Sequence, residues 1–375
     1  MNRLLGLELL RGLAATLVLL EHVRYVVASV CGPEAVLPWP LAGFAGYWGV
    51  DFFFVLSGYM IGLTLDKPGT TARSFLLARL ARVVPLYAVV SLTCQAVPRF
   101  RTSEVGVSML VTTLTLMPVS GDALAPLTAQ PCGWTLCYEV LFYLVAAALT
   151  AALGVRRAVP TLLALFALAP LAFTSFGPIP GWAYPSFALS PLGIEFALGL
   201  LAYRLTESLP RGAAWGLLAL GVGWCARGLV VGSDGDDPFE ALADPTLARG
   251  RVATWGPPAF ACVLGTARLD RAGTFAPIAR FATAAGAVSY SLYLVQPISL
   301  AVTAVLCVVA GVTRPWPVAA ATVGVSFGIA AVVAYSLDLP LHAAAKRWVR
   351  RRSAPSPAAA AHAPPTPRPL MVAPR

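Results

Sequence analysis

Residues 4–30 read LLGLELLRGLAATLVLLEHVRYVVASV, an almost wholly apolar run that is long enough to cross a lipid bilayer. The run also contains Glu8, Arg11, Glu21 and His22. Arg11 and His22 are eleven positions apart, so in an α-helix they lie within about 20° of one direction and about 16 Å apart along the axis. Ionisable groups inside a bilayer cost roughly 2.5–3.5 kcal/mol each and normally face a bundle interior or a wet cavity. The stripe that carries Arg11 and His22 is therefore a candidate functional site.

Apolar runs of similar length recur along the whole chain. The sequence is 58% hydrophobic and only 12% charged, with a mean hydropathy of +0.75, whereas soluble proteins are about 25% charged. Runs of helix length, rather than alternation in segments of about ten residues, argue against a transmembrane barrel. We predict an all-α fold, a polytopic transmembrane helical bundle of about ten spans at residues 4–30, 42–65, 82–97, 135–153, 158–174, 187–203, 213–231, 252–267, 286–310 and 317–337. The apolar stretch 105–119 is too short to span, and we interpret it as a re-entrant or interfacial segment.

Basic residues fall in alternate connections between the predicted spans. The positive-inside rule then places both termini in the cytoplasm and makes the chain a multi-pass protein of the cell (inner) membrane. The net charge of +10 is explained by these connections, so it does not indicate nucleic-acid binding. The residues concerned are Arg3; Lys67, Arg73 and Arg79; Arg156 and Arg157; Arg204 and Arg211; Arg268, Arg271 and Arg280; and Lys346, Arg347, Arg350, Arg351 and Arg352.

The end of the chain differs in composition from the rest. We expect a membrane domain over residues 1–345, followed over 346–375 by a basic and then Pro/Ala-rich disordered cytoplasmic tail. The seven cysteines lack the paired spacing of a disulfide framework or a metal site, so we expect no metal.

Other polar residues also lie within or beside the apolar runs. Arg79 and Arg82 are three positions apart, so they share a helix face on which two guanidinium groups can bind phosphate. Asp51 and Glu139 lie in the second and fourth predicted spans, and we expect Asp51 to meet His22 or a loop arginine. We predict arginines at the cytoplasmic end of the bundle, and histidine and carboxylates in its outer half. Histidine is the natural general base, and the arrangement suits group transfer from a phosphorylated donor in the cytoplasm to an outer acceptor.

Five motifs in order along the chain resemble the acyltransferase-3 family of integral membrane O-acyltransferases. They are Glu8–Ala15 (ELLRGLAA) followed by His22; Gly49–Gly58 (GVDFFFVLSG); Arg79-x-x-Arg82 with Pro85 and Tyr87; Trp134-Thr135-Leu136 with Glu139 and Phe142-Tyr143-Leu144; and Ser289–Leu294 (SYSLYL). The resemblance covers nearly the whole chain up to about residue 345. Gln296 stands where a histidine commonly ends the last motif, so any role of that histidine is absent or altered here.

The resemblance implies transfer of an acyl group, usually acetyl, from acyl-CoA to a hydroxyl of a carbohydrate-containing acceptor. It implies that His22 and Arg11 are essential, and that Arg79 and Arg82 contact the donor's phosphates. In our hypothesis Arg11 binds these phosphates as well. In the same hypothesis His22 is the general base and is oriented by Glu21, Asp51 or Glu139. The acceptor hydroxyl then attacks the thioester directly, and an acyl-enzyme relay is the alternative.

Two other classes of protein can be weighed against this hypothesis. A transporter or flippase of a lipid-linked sugar would use the same polar stripe, and it predicts internal repeats, of which none is clear. The membrane-bound O-acyltransferase class relies on a buried histidine and an asparagine. The only asparagine in this chain is Asn2, which lies outside the predicted spans.

Overall fold

The computed structural model describes residues 4–35, 37, 46–96, 107–117, 130–176, 188–231 and 245–353, and every regular element in these ranges is helical. The all-α prediction is therefore confirmed for this part of the chain. The α-helices are α1 (Leu5–Cys31), α2 (Gly49–Leu65), α3 (Ala72–Ala96), α4 (Val107–Thr115), α5 (Gly133–Leu153), α6 (Val155–Phe176), α7 (Gly193–Leu205), α8 (Arg211–Val231), α9 (Pro245–Arg271), α10 (Ala279–Val309), α11 (Pro315–Val333) and α12 (Leu339–Ser353).

Five stretches in the described ranges are long and apolar enough to cross a membrane. They are Leu5–Cys31, Ala72–Gln95, Gly133–Leu153, Ala276–Val309 and Pro315–Val349, and Gly49–Leu65 is a shorter apolar helix. The chain is accordingly a membrane protein, while the ten spans and the cytoplasmic termini stay predictions. Helix α4 has 9 residues and is too short to span, in keeping with the interpretation of residues 105–119.

Helix α3 begins ten residues before the third predicted span, which was placed at 82–97. Helix α3 starts at Ala72, because Thr71 and Ser74 form a reciprocal cap: the Thr71 hydroxyl accepts from the Ser74 N–H at 3.1 Å, and the Ser74 hydroxyl accepts from the Thr71 N–H at 2.9 Å. Arg79 and Arg82 therefore lie in the second and third turns of α3, with their backbone fixed by the helix.

Helix α1 is the central element, and it packs most extensively against α10. Its first turn is capped from a distant helix, because Asp270 near the end of α9 accepts from the Gly6 N–H at 2.8 Å and from the Leu7 N–H at 3.1 Å. Helices α2 and α7 approach closely at Gly58 and Gly199, where a methyl group on either residue would overlap the other helix's backbone. Gly58 thus allows the close approach of the two helices.

The last helices are continuous with one another. A π-helical turn, Ala334–Asp338, joins α11 to α12, and α12 runs through the predicted boundary at residue 345 and packs on α3. The first part of the basic stretch is thus helical and contacts the bundle. Residues 354–375, which carry the predicted disorder, lie outside the described ranges.

Candidate active site

A cavity of about 660 Å³ lies between α1, α2, α3, α5, α10 and α12. Its walls bring together four of the predicted site residues, Arg11, Arg79, Arg82 and Glu139. The cavity also carries polar groups that the motifs did not single out, namely the ammonium groups of Lys67 and Lys346 and the imidazole of His342. Its other polar lining residues are Glu8, Ser57, Thr64, Thr135, Tyr143, Tyr290 and Tyr293.

The two α3 arginines are held in place by different partners. Arg79 donates to the Met60 carbonyl and the Thr64 hydroxyl of α2. Arg82 donates from Nη1 to Oδ1 of Asp338 at 2.7 Å, and its guanidinium lies 4.7 Å from the centre of the Tyr290 ring. Asp338 ends the π-helical turn, an element that often occurs at functional sites. The two arginines are thereby fixed as part of one cationic wall.

Positive charge is concentrated at the end of this cavity formed by the α2–α3 connection and α12. Lys67 lies in that connection, and Lys346 projects from α12. Partial burial, and then the positive charges of Arg79 and Lys346, lower the pKa of Lys67. Such mutual repulsion is relieved when a polyanion binds, so this end of the cavity suits a phosphorylated ligand.

Glu139 faces the cationic cavity. It accepts from the Ser57 hydroxyl at 3.0 Å and from the Tyr143 hydroxyl, and Arg11 interacts electrostatically with both Glu139 and Glu8. The sequence grouped Glu139 with His22 in the outer half, and the structure instead groups it with the arginines. The carboxylate balances part of the cationic charge beside Ser57.

His22 lines a second, smaller cavity of about 220 Å³. Its Nδ1 lies 2.7 Å from the Val18 carbonyl oxygen, so Nδ1 carries the proton of the neutral ring and Nε2 holds the lone pair. The ring of Tyr25, 52% exposed, lies 5.9 Å from the imidazole and also lines this cavity. The described lining includes no carboxylate and is otherwise formed by Val26, Ser29, Pro131, Cys132, Gln296, Pro297, Leu300, Ala301 and Ala304.

Residues that line the two cavities are joined by hydrogen bonds, and we call this contact the partition. Thr135 and Tyr293 line the larger cavity, and Cys132 lines the smaller one. The Tyr293 hydroxyl lies 2.7 Å from the Thr135 hydroxyl and donates to the Cys132 carbonyl at 3.3 Å. Helix α1 contributes Arg11 to the larger cavity and His22 to the smaller one, so the two residues of the predicted stripe line different cavities.

Glu21, next to His22 in α1, is buried and binds the backbone of the segment that leads into α2. It accepts from the Gly46 N–H at 2.8 Å and forms an ion pair with Arg24 at 2.7 Å. Gly46 opens a short 3₁₀ turn, Gly46–Trp48, which leads directly into α2. These contacts give Glu21 a role in joining the C-terminal part of α1 to the start of α2.

Asp51 lies apart from the residues that line either cavity. It forms a two-point ion pair with Arg251, with 2.6 Å between Nη2 and Oδ2 and 3.1 Å between Nε and Oδ1. The sequence predicted His22 or a loop arginine as its partner, and the partner is an arginine inside α9. The eighth span was predicted to begin at residue 252, whereas the helix begins at Pro245 and so includes Arg251.

Comparison with known proteins places the chain in a family. The family model described as an acyltransferase domain, acyltransferase-3, matches residues 4–335, so the chain belongs to the acyltransferase-3 family and is an O-acyltransferase. The chain is similar to the exopolysaccharide production protein ExoZ of Rhizobium meliloti (strain 1021), with 28% identity over 310 residues, 79% of this chain and 89% of that protein. No solved structure matches the chain.

Proposed function

We propose that this enzyme transfers an acetyl group from acetyl-CoA in the cytoplasm to a hydroxyl of a cell-surface polysaccharide. The observation that carries the proposal is the pair of cavities divided by the Tyr293–Thr135 partition. One cavity is cationic and suits a phosphorylated donor, and the other presents a histidine whose Nε2 holds the lone pair. The name of the similar protein ExoZ, which refers to exopolysaccharide production, supports the polysaccharide acceptor.

The donor occupies the larger cavity. Its phosphates lie against Arg79, Arg82, Lys67 and Lys346, because guanidinium and ammonium groups bind phosphate oxygens through charge-assisted hydrogen bonds. The pantetheine arm then runs along the cavity toward Thr135 and Tyr293, which brings the thioester to the partition. Arg11 lies along the same wall beside Glu139, where it can polarise the thioester carbonyl as negative charge develops on its oxygen.

The acceptor enters the smaller cavity. Its hydroxyl gives its proton to Nε2 of His22 while its oxygen attacks the thioester carbonyl carbon, and the partition must open locally for the two to meet. The tetrahedral intermediate then expels the CoA thiolate as the C–S bond breaks. The imidazolium returns its proton to that sulfur, which leaves an ester, free CoA and neutral His22.

The decisive experiment compares wild type with His22→Ala in lipid nanodiscs, using radiolabelled acetyl-CoA and a panel of extracted surface polysaccharides. We expect His22→Ala to lose about 10²- to 10⁴-fold in transfer and to retain CoA binding. His362→Ala, which alters the histidine of the predicted tail, is the matched control and should behave as wild type. Transfer within a few-fold of wild type in His22→Ala would overturn the assignment of His22.

A further inference from the structure

Gln296 lies directly beside His22, although it comes from another helix. Its side chain is 1% exposed on α10 and lines the same small cavity as His22. The amide also interacts with the imidazole. A buried polar side chain that faces a reacting group calls for an explanation.

The nitrogen and the oxygen of the Gln296 amide differ in their hydrogen bonding. Nε2 donates to the Ala15 carbonyl of α1 at 3.5 Å, which fixes the orientation of the amide plane. Oε1 is buried, and no described group donates to it. The acceptor end of this amide is therefore free to receive one more hydrogen bond.

Nε2 of His22 can donate a hydrogen bond to the Gln296 oxygen only when the ring is protonated. In the neutral ring Nδ1–H is already used by Val18, and Nε2 carries a lone pair. When Nε2 takes a proton it becomes an N–H donor, and the described lining of the cavity offers no carboxylate to receive it.

We propose that Gln296 is a positioning residue whose Oε1 accepts from the Nε2–H of protonated His22 and so stabilises the imidazolium formed during transfer. The inference rests on the proposed function, in which Nε2 is the base. It gives an amide on α10 the role that the sequence hypothesis gave to Glu21, Asp51 or Glu139. The bond forms only after proton transfer, so it lowers the barrier without strengthening binding of the acetyl donor.

The test is a double-mutant cycle on the purified enzyme in nanodiscs with acetyl-CoA and an active polysaccharide. We expect Gln296→Leu to lower kcat by about 10- to 100-fold, the range for a hydrogen bond to a charged group, with the KM for acetyl-CoA changed less than about twofold. Gln296→Glu keeps an acceptor oxygen and should recover most of the lost kcat. In a His22→Ala background, Gln296→Leu should have little further effect, because its partner is gone.

The outcomes separate this inference from the proposed function. An active His22→Ala enzyme would overturn both, whereas an inactive His22→Ala with a fully active Gln296→Leu would overturn only the role of Gln296. Equal losses from Gln296→Leu in both backgrounds would also overturn it, as would failure of Gln296→Glu to recover activity. If Gln296→Leu does not accumulate, Gln296→Met makes the same comparison with an unbranched side chain.

Gln130→Leu is the matched control for loss of a buried glutamine. Gln130 is 0% exposed and donates to the Leu294 carbonyl of the same helix at 2.8 Å, but it does not line the His22 cavity. We expect this variant to lower thermal stability and to keep the coupling between His22 and Gln296 intact.

Discussion

Arg251 and Asp51 form a bidentate ion pair that is closed to solvent, with side chains 1% and 0% exposed. Glu195, also 0% exposed, lies against Asp51 from α7. The group therefore ties α2, α7 and α9 together, with Asp51 paired to Arg251 and in contact with Glu195. A buried charge is tolerated only with such a partner, so this cluster belongs to the framework that holds the cavities.

Asp51→Asn should destabilise the folded protein strongly. The substitution breaks the buried two-point ion pair with Arg251, and breaking such a pair typically costs about 3–5 kcal/mol. We expect a large fall in the midpoint of thermal unfolding in detergent, with transfer per folded molecule within a few-fold of wild type. Asp66→Asn, at an exposed carboxylate that accepts from Tyr203, is the control and should lose far less. A folded but inactive Asp51→Asn would instead support the catalytic role that the sequence predicted.

Lys346→Ala should weaken binding of the donor through its phosphates. We expect the KM for acetyl-CoA to rise about three- to tenfold, the effect of losing one partly exposed charge-assisted bond. The KM for acetyl-pantetheine, which lacks the adenosine phosphates, should not change. The difference between the two donors should shrink as salt is added.

Arg347→Ala provides the control for the donor experiment. Arg347 is the next residue on α12, and it is exposed and outside the cavity lining. Arg347→Ala changes the net charge by the same amount as Lys346→Ala. A similar rise in KM in Arg347→Ala would indicate a general field effect of α12. A rise for acetyl-pantetheine in Lys346→Ala would place the ammonium group away from the phosphates.

Tyr293→Phe should let water pass the partition between the two cavities more often. The variant loses the hydroxyl that bonds Thr135 and the Cys132 carbonyl, so water in the smaller cavity can reach the thioester more often. We expect hydrolysis of acetyl-CoA without acceptor to rise several-fold, measured as release of radiolabelled acetate. Tyr59→Phe, a buried tyrosine that lines neither cavity, should leave this background rate unchanged. An unchanged rate in Tyr293→Phe would mean that other groups keep water out.

The sequence predicted those features that depend on local pattern. Helical apolar runs, the Arg11–His22 stripe and the motif arginines all follow from spacing along one segment, and the family assignment follows from the motifs. Glu139 was recognised as a buried carboxylate but grouped with the wrong neighbours, because spacing does not show which helices meet.

The residues that the sequence missed act through contacts between distant segments. Arg251 pairs with Asp51 across 200 positions, and Asp338 pairs with Arg82 across 256. Neither pair leaves a local signal. Lys346 was attributed to the tail, because a basic run after the last apolar segment usually marks a cytoplasmic end.

Asp270→Ala tests whether the remote cap of α1 positions the donor cavity. The substitution removes the acceptor of the Gly6 and Leu7 N–H groups, which should cost about 1 kcal/mol, as for loss of a helix cap. Because the same first turns of α1 carry Glu8 and Arg11, we expect faster amide exchange there, a lower unfolding midpoint and a higher KM for acetyl-CoA. Glu207→Ala removes an exposed carboxylate that pairs with Arg271 at 3.4 Å, and this neighbouring control should change none of the three. Unchanged amide exchange at Gly6 and Leu7 in Asp270→Ala would show that packing against α10 alone holds the start of α1, and the donor cavity would then not depend on the cap.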